Sequence, residues 1–161
     1  MRKPVYLIGT AITVVLVLGG AQVIRTVLSP DPAAAGQLLP YTDTDAVALG
    51  EQLYTENCSS CHGANLEGEA DWRGRDDDGY LRAPPHDASG HTWHHADTLL
   101  IDITTRGSAE VVGGGYQSRM PGFSDVLTEA QILAVLAYIK STWPDEIIEA
   151  HDELNRRLAT Q

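Results

Sequence analysis

The chain is short of sulfur. Its 161 residues hold two cysteines and two methionines, one of the methionines being the initiator. Two cysteines cannot build a disulfide framework. Lysine is equally scarce, with only Lys3 and Lys140. All 22 acidic residues lie beyond position 30, against eight Lys and Arg there, so that part of the chain carries a formal charge of −14. Such an acidic surface excludes nucleic acid as a partner. Internal repeats, alternation of strands with helices, and sustained period-two patterning are also missing, which removes doubly wound folds and sandwiches.

Charge is absent between Lys3 and Arg25, a length that crosses a ~30 Å hydrocarbon core as a helix. Arg2 and Lys3 on the short side place that end in the cytoplasm. Residues 1–28 are therefore expected to form a single-pass anchor in the inner (cytoplasmic) membrane, with the remainder periplasmic. The small residues of Leu18–Ala21 admit a second reading, a cleaved signal peptide, and either way the remainder is exported. Residues 29–41, rich in Pro and Ala, read as a tether. The chain beyond the tether is long enough for one domain with one core, over 42–144, and an amphipathic tail over 145–161 using Ile147, Ile148, Leu154 and Leu158.

Within the domain, Asp43 or Thr44 caps a first helix carrying Val47, Leu49, Leu53 and Tyr54 and ending near Cys58. Asp78-Gly79, between Trp72 and Tyr80, signals a short β-hairpin. Asp76, Asp77 and Asp78 lack the spaced oxygens of a calcium loop and read as a solvated turn. A helix with Asp97 near its start and Arg106 near its end comes next, then a glycine-rich loop. The last helix opens with the reciprocal capping pair Thr128 and Gln131 and runs through Ile132, Val135, Leu136 and Ile139.

Both cysteines stand in "CSSCH", Cys58 to His62. A redox thiol pair needs a strand before the motif, and here a helix precedes it. A zinc site needs a second ligand pair at suitable spacing, which is missing. A disulfide across two residues closes too small a loop to stabilise much. Covalent haem alone uses all three residues: Cys58 and Cys61 would add to the two vinyl groups, and His62 would reach the iron. That reading needs a second axial ligand. Met120 lies 58 residues beyond His62 in "SRMPGF", and a thioether suits an electron carrier because it leaves no open coordination position.

These residues, with "MPGF" and the terminal helix "TEAQILAVLAYIKSTW", make the domain resemble class I c-type cytochromes. The resemblance implies an all-α fold of about four helices around one covalent haem c. It implies that the first and last helices cross at Gly50, Tyr54 and Tyr138, and that a proline carbonyl, from Pro84 or Pro85, accepts the Nδ1 hydrogen of His62. The function it implies is one-electron transfer with His62 and Met120 on the iron, the chain being a carrier and catalysis belonging to its partners. Those partners would be a quinol-oxidising complex or dehydrogenase upstream and a terminal oxidase or reductase downstream. A haem subunit of a larger membrane redox enzyme is the alternative.

His86, His91, His94 and His95 fall within ten residues. Such density suits copper or zinc; otherwise the rings line the loop entering the next helix, with Trp93 beside the haem and a ring or two on its propionates.

Overall fold

A computed structural model describes residues 38–161; the expected anchor and the tether as far as residue 37 lie outside the described residues. Among the described residues the order is α1 (Thr44–Asn57), the single turn α2 (Ser59–His62), a 3-10 turn (Thr92–His94), α3 (Asp97–Arg106), the short α4 (Ser108–Val112), α5 (Glu129–Ser141) and α6 (Asp145–Ala159). No helix among them is long and apolar enough to cross a membrane.

The caps fall where side-chain chemistry puts them. Asp43 accepts from the amides of Asp45 and Ala46 and starts α1. Thr128 and Gln131 form the full reciprocal box at the head of α5. The two helices cross at Gly50, where a Cβ would run into the Ala134 carbonyl and the Tyr138 side chain. The absent side chain lets the backbones approach, and Tyr54 and Tyr138 close the crossing with ring centroids 5.5 Å apart. Leu53 and Tyr54 from α1, Leu100 from α3, and Ile132, Val135, Leu136 and Ile139 from α5 form the core with Leu39, Leu127 and Trp143. Leu49, at the edge of the α1 stripe, is left 43% exposed.

The expected hairpin shrinks to a turn. Arg75 and Leu81 make a single antiparallel bridge, and no strand forms among the described residues. Asp76 explains why the turn persists without strands: its Oδ1 accepts from the amides of Asp78 and Tyr80. Two short arms with no apolar face to bury do not extend into a ladder.

The tail is a helix, with Ile147 and Ile148 packed against the core as expected, but its most buried side chains are polar. Leu158 is 46% exposed, whereas His151, Asp152 and Asn155 face inward. Lys140 from α5 pairs with Asp152. Asn155 Oδ1 accepts from the Asp97 amide at 2.8 Å, and His151 Nε2 donates to the His95 carbonyl at 2.9 Å. The Tyr41 hydroxyl reaches Asp152 and the Leu38 amide reaches Asp97, so the last residues of the tether belong to the packed domain.

Candidate functional site

The site begins where α1 runs out. Cys58 has φ −121 and ψ −35, a break that starts the new turn α2. The Cys58 carbonyl accepts from the amides of Cys61 and His62, so one turn displays Cys58, Cys61 and His62 together. Gly63, at φ 82, ends the turn, and its carbonyl takes the Tyr54 hydroxyl at 2.8 Å. The loop then folds back. His86 and Asp87 donate their amides to the Leu66 carbonyl, and Gly68 packs so tightly against Pro84 and Pro85 that a Cβ could not fit.

This fold-back decides the proline. Pro84 O lies 2.8 Å from His62 Nδ1, which fixes the ring and leaves Nε2 as its remaining nitrogen. Pro85 points its carbonyl toward the Thr92 hydroxyl, at 3.4 Å. His62 is 8% exposed, and burial lowers its pKa against the pull of the Pro84 bond, so the ring is a neutral donor at physiological pH.

Cys58 and Cys61 form no disulfide with each other, and no strand precedes them among the described residues. Burial, helped by Cys61, pushes the Cys58 thiol up to about 11. It is neutral at pH 7 and ill suited to a reactive redox pair, which needs a depressed thiol.

The histidine cluster does not converge. Among the described residues no group of three or more His, Cys, Asp or Glu is placed to hold a metal ion. Each ring has found a separate partner instead. His86 stacks on His62 with centroids 4.0 Å apart and meets Thr92 Oγ1 through Nδ1 at 2.8 Å. His91 stacks on Trp72, His94 on Trp93, and His95 meets the edge of His91. Three of the four rings thus lie flat on an aromatic or imidazole neighbour, and the four are not gathered on one centre.

Met120 is partly buried in the segment after α4, its amide donating to Ser118 Oγ at 3.1 Å. Pro121, next along, bridges to Gly107 in antiparallel sense, where the absent side chain admits Met120, Pro121 and Gly122 at close range. The residue before it, Arg119, is tied to Asp76 and Asp78.

Haem c can be tested against this architecture. Trp93 Nε1 and His91 Nδ1 are buried with no hydrogen-bond partner, an arrangement that costs stability unless an acceptor meets them. Two cysteines and a buried imidazole with one nitrogen available stand on the same turn. An unpartnered indole N–H that could meet a propionate, with two cysteines and an imidazole on one turn for attachment, suits a covalent haem, and the residues fit it.

Sequence reasoning missed two contacts: the His86 ring on His62 and the grip on Arg119. The doublet "PPH" hinted at the first, since the residue two places after Pro84 is drawn beneath the same imidazole.

The comparisons with known proteins agree. The family model described as Cytochrome c matches residues 47–143. The Cbb3-type cytochrome c oxidase subunit FixP of Sinorhizobium medicae is 29% identical over 102 residues, covering 63% of this chain and 32% of that protein. The chain thus aligns with about a third of that curated relative's length. The crystal structure of cytochrome CL from the marine methylotrophic bacterium Methylophaga aminisulfidivorans MPT superimposes with a TM-score of 0.51 at 23% identity, covering 80% of this chain and 79% of that one. That last likeness speaks to the fold alone. With its family model spanning α1 through the end of α5, the chain belongs to the cytochrome c family and carries covalently bound haem c.

Proposed function

We propose that the domain is a monohaem one-electron relay, tethered at the periplasmic face of the inner membrane, with Cys58 and Cys61 as the thioether links and His62 and Met120 as the axial ligands. The observation that carries this reading is the His62 ring, buried and held at Nδ1 by Pro84, with Nε2 free on the turn that bears both thiols.

Haem c supplies a redox couple that takes up and returns one electron. The protein's part is to hold still around it. The Pro84 bond fixes the tautomer and plane of His62 and raises its strength as a donor. Trp93 Nε1 and His91 Nδ1, buried without partners, would be the nitrogens to hold its propionates. Met120 would supply the second iron ligand, which leaves no position for substrate and favours a carrier over an enzyme.

Membrane attachment rests on the uncharged run between Lys3 and Arg25. The acidic surface, with Lys140 the sole lysine beyond the run and itself fully buried, favours redox partners with basic docking faces. A quinol-oxidising complex or dehydrogenase would donate, and a terminal oxidase or reductase would accept. The similarity to an oxidase subunit favours one variant, a haem subunit of a larger membrane oxidase.

The test is the absorption spectrum of the haem-loaded full chain, wild type and Met120→Ala. The expected result is a pyridine haemochrome of two thioether links, with a weak far-red band lost only in Met120→Ala. A wild type without that band, or a band that survives the substitution, overturns Met120 as ligand.

A further inference from the structure

We propose that the acidic turn Asp76–Asp78 is a strap for Met120. It clamps Arg119, the preceding residue, and thereby sets how readily the thioether yields its place to another ligand. The inference rests on Met120 being the second axial ligand.

The clamp is assembled from a turn whose two carboxylates divide between the turn's own amides and Arg119. Asp76 commits Oδ1 to the amides of Asp78 and Tyr80, which leaves Oδ2 directed at Arg119 Nε, 3.0 Å away. Asp78 Oδ2 takes Arg119 Nη2 at 2.6 Å. The guanidinium lies over the Tyr80 ring, 4.4 Å from its centroid. One planar cation is thus held by two carboxylates and an aromatic face, a geometry that suits the arginine fork and not a lysine.

The segment it holds has little else on that side. Gly113, Gly114 and Gly115 all take positive φ, and nothing lies near where their side chains would be. Chain of that kind is easily displaced. Beyond Met120 the bridge from Pro121 to Gly107 is the next fixed point. Met120 therefore sits between two anchors, one of backbone and one of charge, and the charged one spans 43 residues of sequence from Asp76 to Arg119.

Magnitude decides whether such a strap matters. Arg119 and Asp78 are largely exposed, and a single exposed ion pair shifts an equilibrium by only about two- to five-fold. A fork on two carboxylates with a stacked ring exceeds that, so the expected effect is roughly five- to ten-fold.

The experiment titrates the ferric, haem-loaded full chain with imidazole and follows loss of the far-red band. The proteins are wild type, Arg119→Ala, Arg119→Lys, Asp76→Asn with Asp78→Asn, and the triple combination of the Arg119→Ala and both Asn changes. Loosening the strap should tighten apparent imidazole binding by about five- to ten-fold, since the competent open state becomes more populated. Arg119→Lys should fall between. The triple variant should equal either partial one, because a broken clamp cannot be broken twice. Raising salt to about 0.5 M should bring wild type toward the variants and leave the variants nearly unmoved.

Equal affinities throughout, or effects that simply add, would overturn the strap. A wild type lacking the far-red band would overturn the Met120 assignment and the strap with it; a normal band with unmoved affinities overturns the strap alone.

Discussion

The two flanks of α5 are sealed by opposite means. Toward α1 it offers shape: the Ala134 carbonyl against a glycine, and two tyrosine rings fitted around a close crossing. Toward α6 it offers charge, with Lys140 fully buried on Asp152. The Asp97 amide bonded to Asn155, and His151 Nε2 at 3.5 Å from Asp97 Oδ1, which has no hydrogen-bond partner, extend that seam. The first flank lies inside the region matched by the family model; α6 begins beyond its end at residue 143. An apolar crossing tolerates neighbours of similar volume but no change in backbone approach, whereas a polar seam tolerates shape changes but no missing partner.

The largest effect should come from the crossing. Gly50→Ala places a Cβ against backbone, where nothing flexible can yield. A loss of about 4 kcal/mol or more is expected, with little haem-attached protein recovered. Gly79→Ala provides the contrast, because Gly79 has a positive φ but open space around it, and only about 1 kcal/mol of backbone strain should appear in its thermal melt. Equal losses at both positions would mean that the crossing is not close-packed.

The polar seam should respond next, and in a different pattern. Lys140→Ala removes the buried cation that Asp152 pairs with, and about 3–5 kcal/mol should be lost in urea melts. Replacing the three together, Tyr41→Phe with Lys140→Met and Asp152→Leu, removes the ion pair and the hydroxyl on it at once and should lose less than Lys140→Ala alone. If the triple variant is as weak as the single one, the seam is stabilising in its own right and the contrast between the flanks disappears.

The same contrast explains what could be read in advance. Helix α5 was legible because its cap and its apolar run are local, and α1 because its stripe leads to a motif whose chemistry has one economical use. Cys58, Cys61 and His62 were legible for the same reason. The choice of Pro84 over Pro85 was not, since it depends on how Gly68 lets the loop fold back over 22 positions of chain. The tail was legible as a helix but not in its facing. Of the expected stripe Ile147 and Ile148 pack on the core and Leu158 is exposed, while the most buried groups are polar and each requires a partner more than ten residues away in sequence. Hydrophobic period reads burial through water's aversion to carbon; it is silent about burial that is satisfied by specific pairing.

The smallest effect, and the sharpest test of the seam, is its dependence on pH. His151 is fully buried, and its pKa is lowered, first by burial and then by the positive charge of Lys140. Asp97 Oδ1 from α3, 3.5 Å from Nε2, and Asp152 on the same helix pull the other way and are outweighed. The His95 carbonyl accepts from Nε2 and fixes that nitrogen as the protonated one, and the Trp143 ring closes the remaining side edge-on. Above the ordinary histidine value of about 6.5 the ring is neutral both folded and unfolded and contributes no pH dependence. As pH falls below that value the unfolded chain takes up a proton that the folded one refuses, so stability is lost, at no more than about 1.4 kcal/mol per pH unit for one proton. His86 is also lowered and contributes to the same window, so the informative quantity is a difference. Thermal melts of the haem-loaded chain between about pH 7.5 and 5.5 should fall more steeply for wild type than for His151→Gln, which keeps a donor for the His95 carbonyl but cannot titrate. A steeper fall in the variant would show that Asp97 holds the ring protonated, and the seam would then be a salt bridge across α3 and α6 in place of a neutral hydrogen-bonded contact.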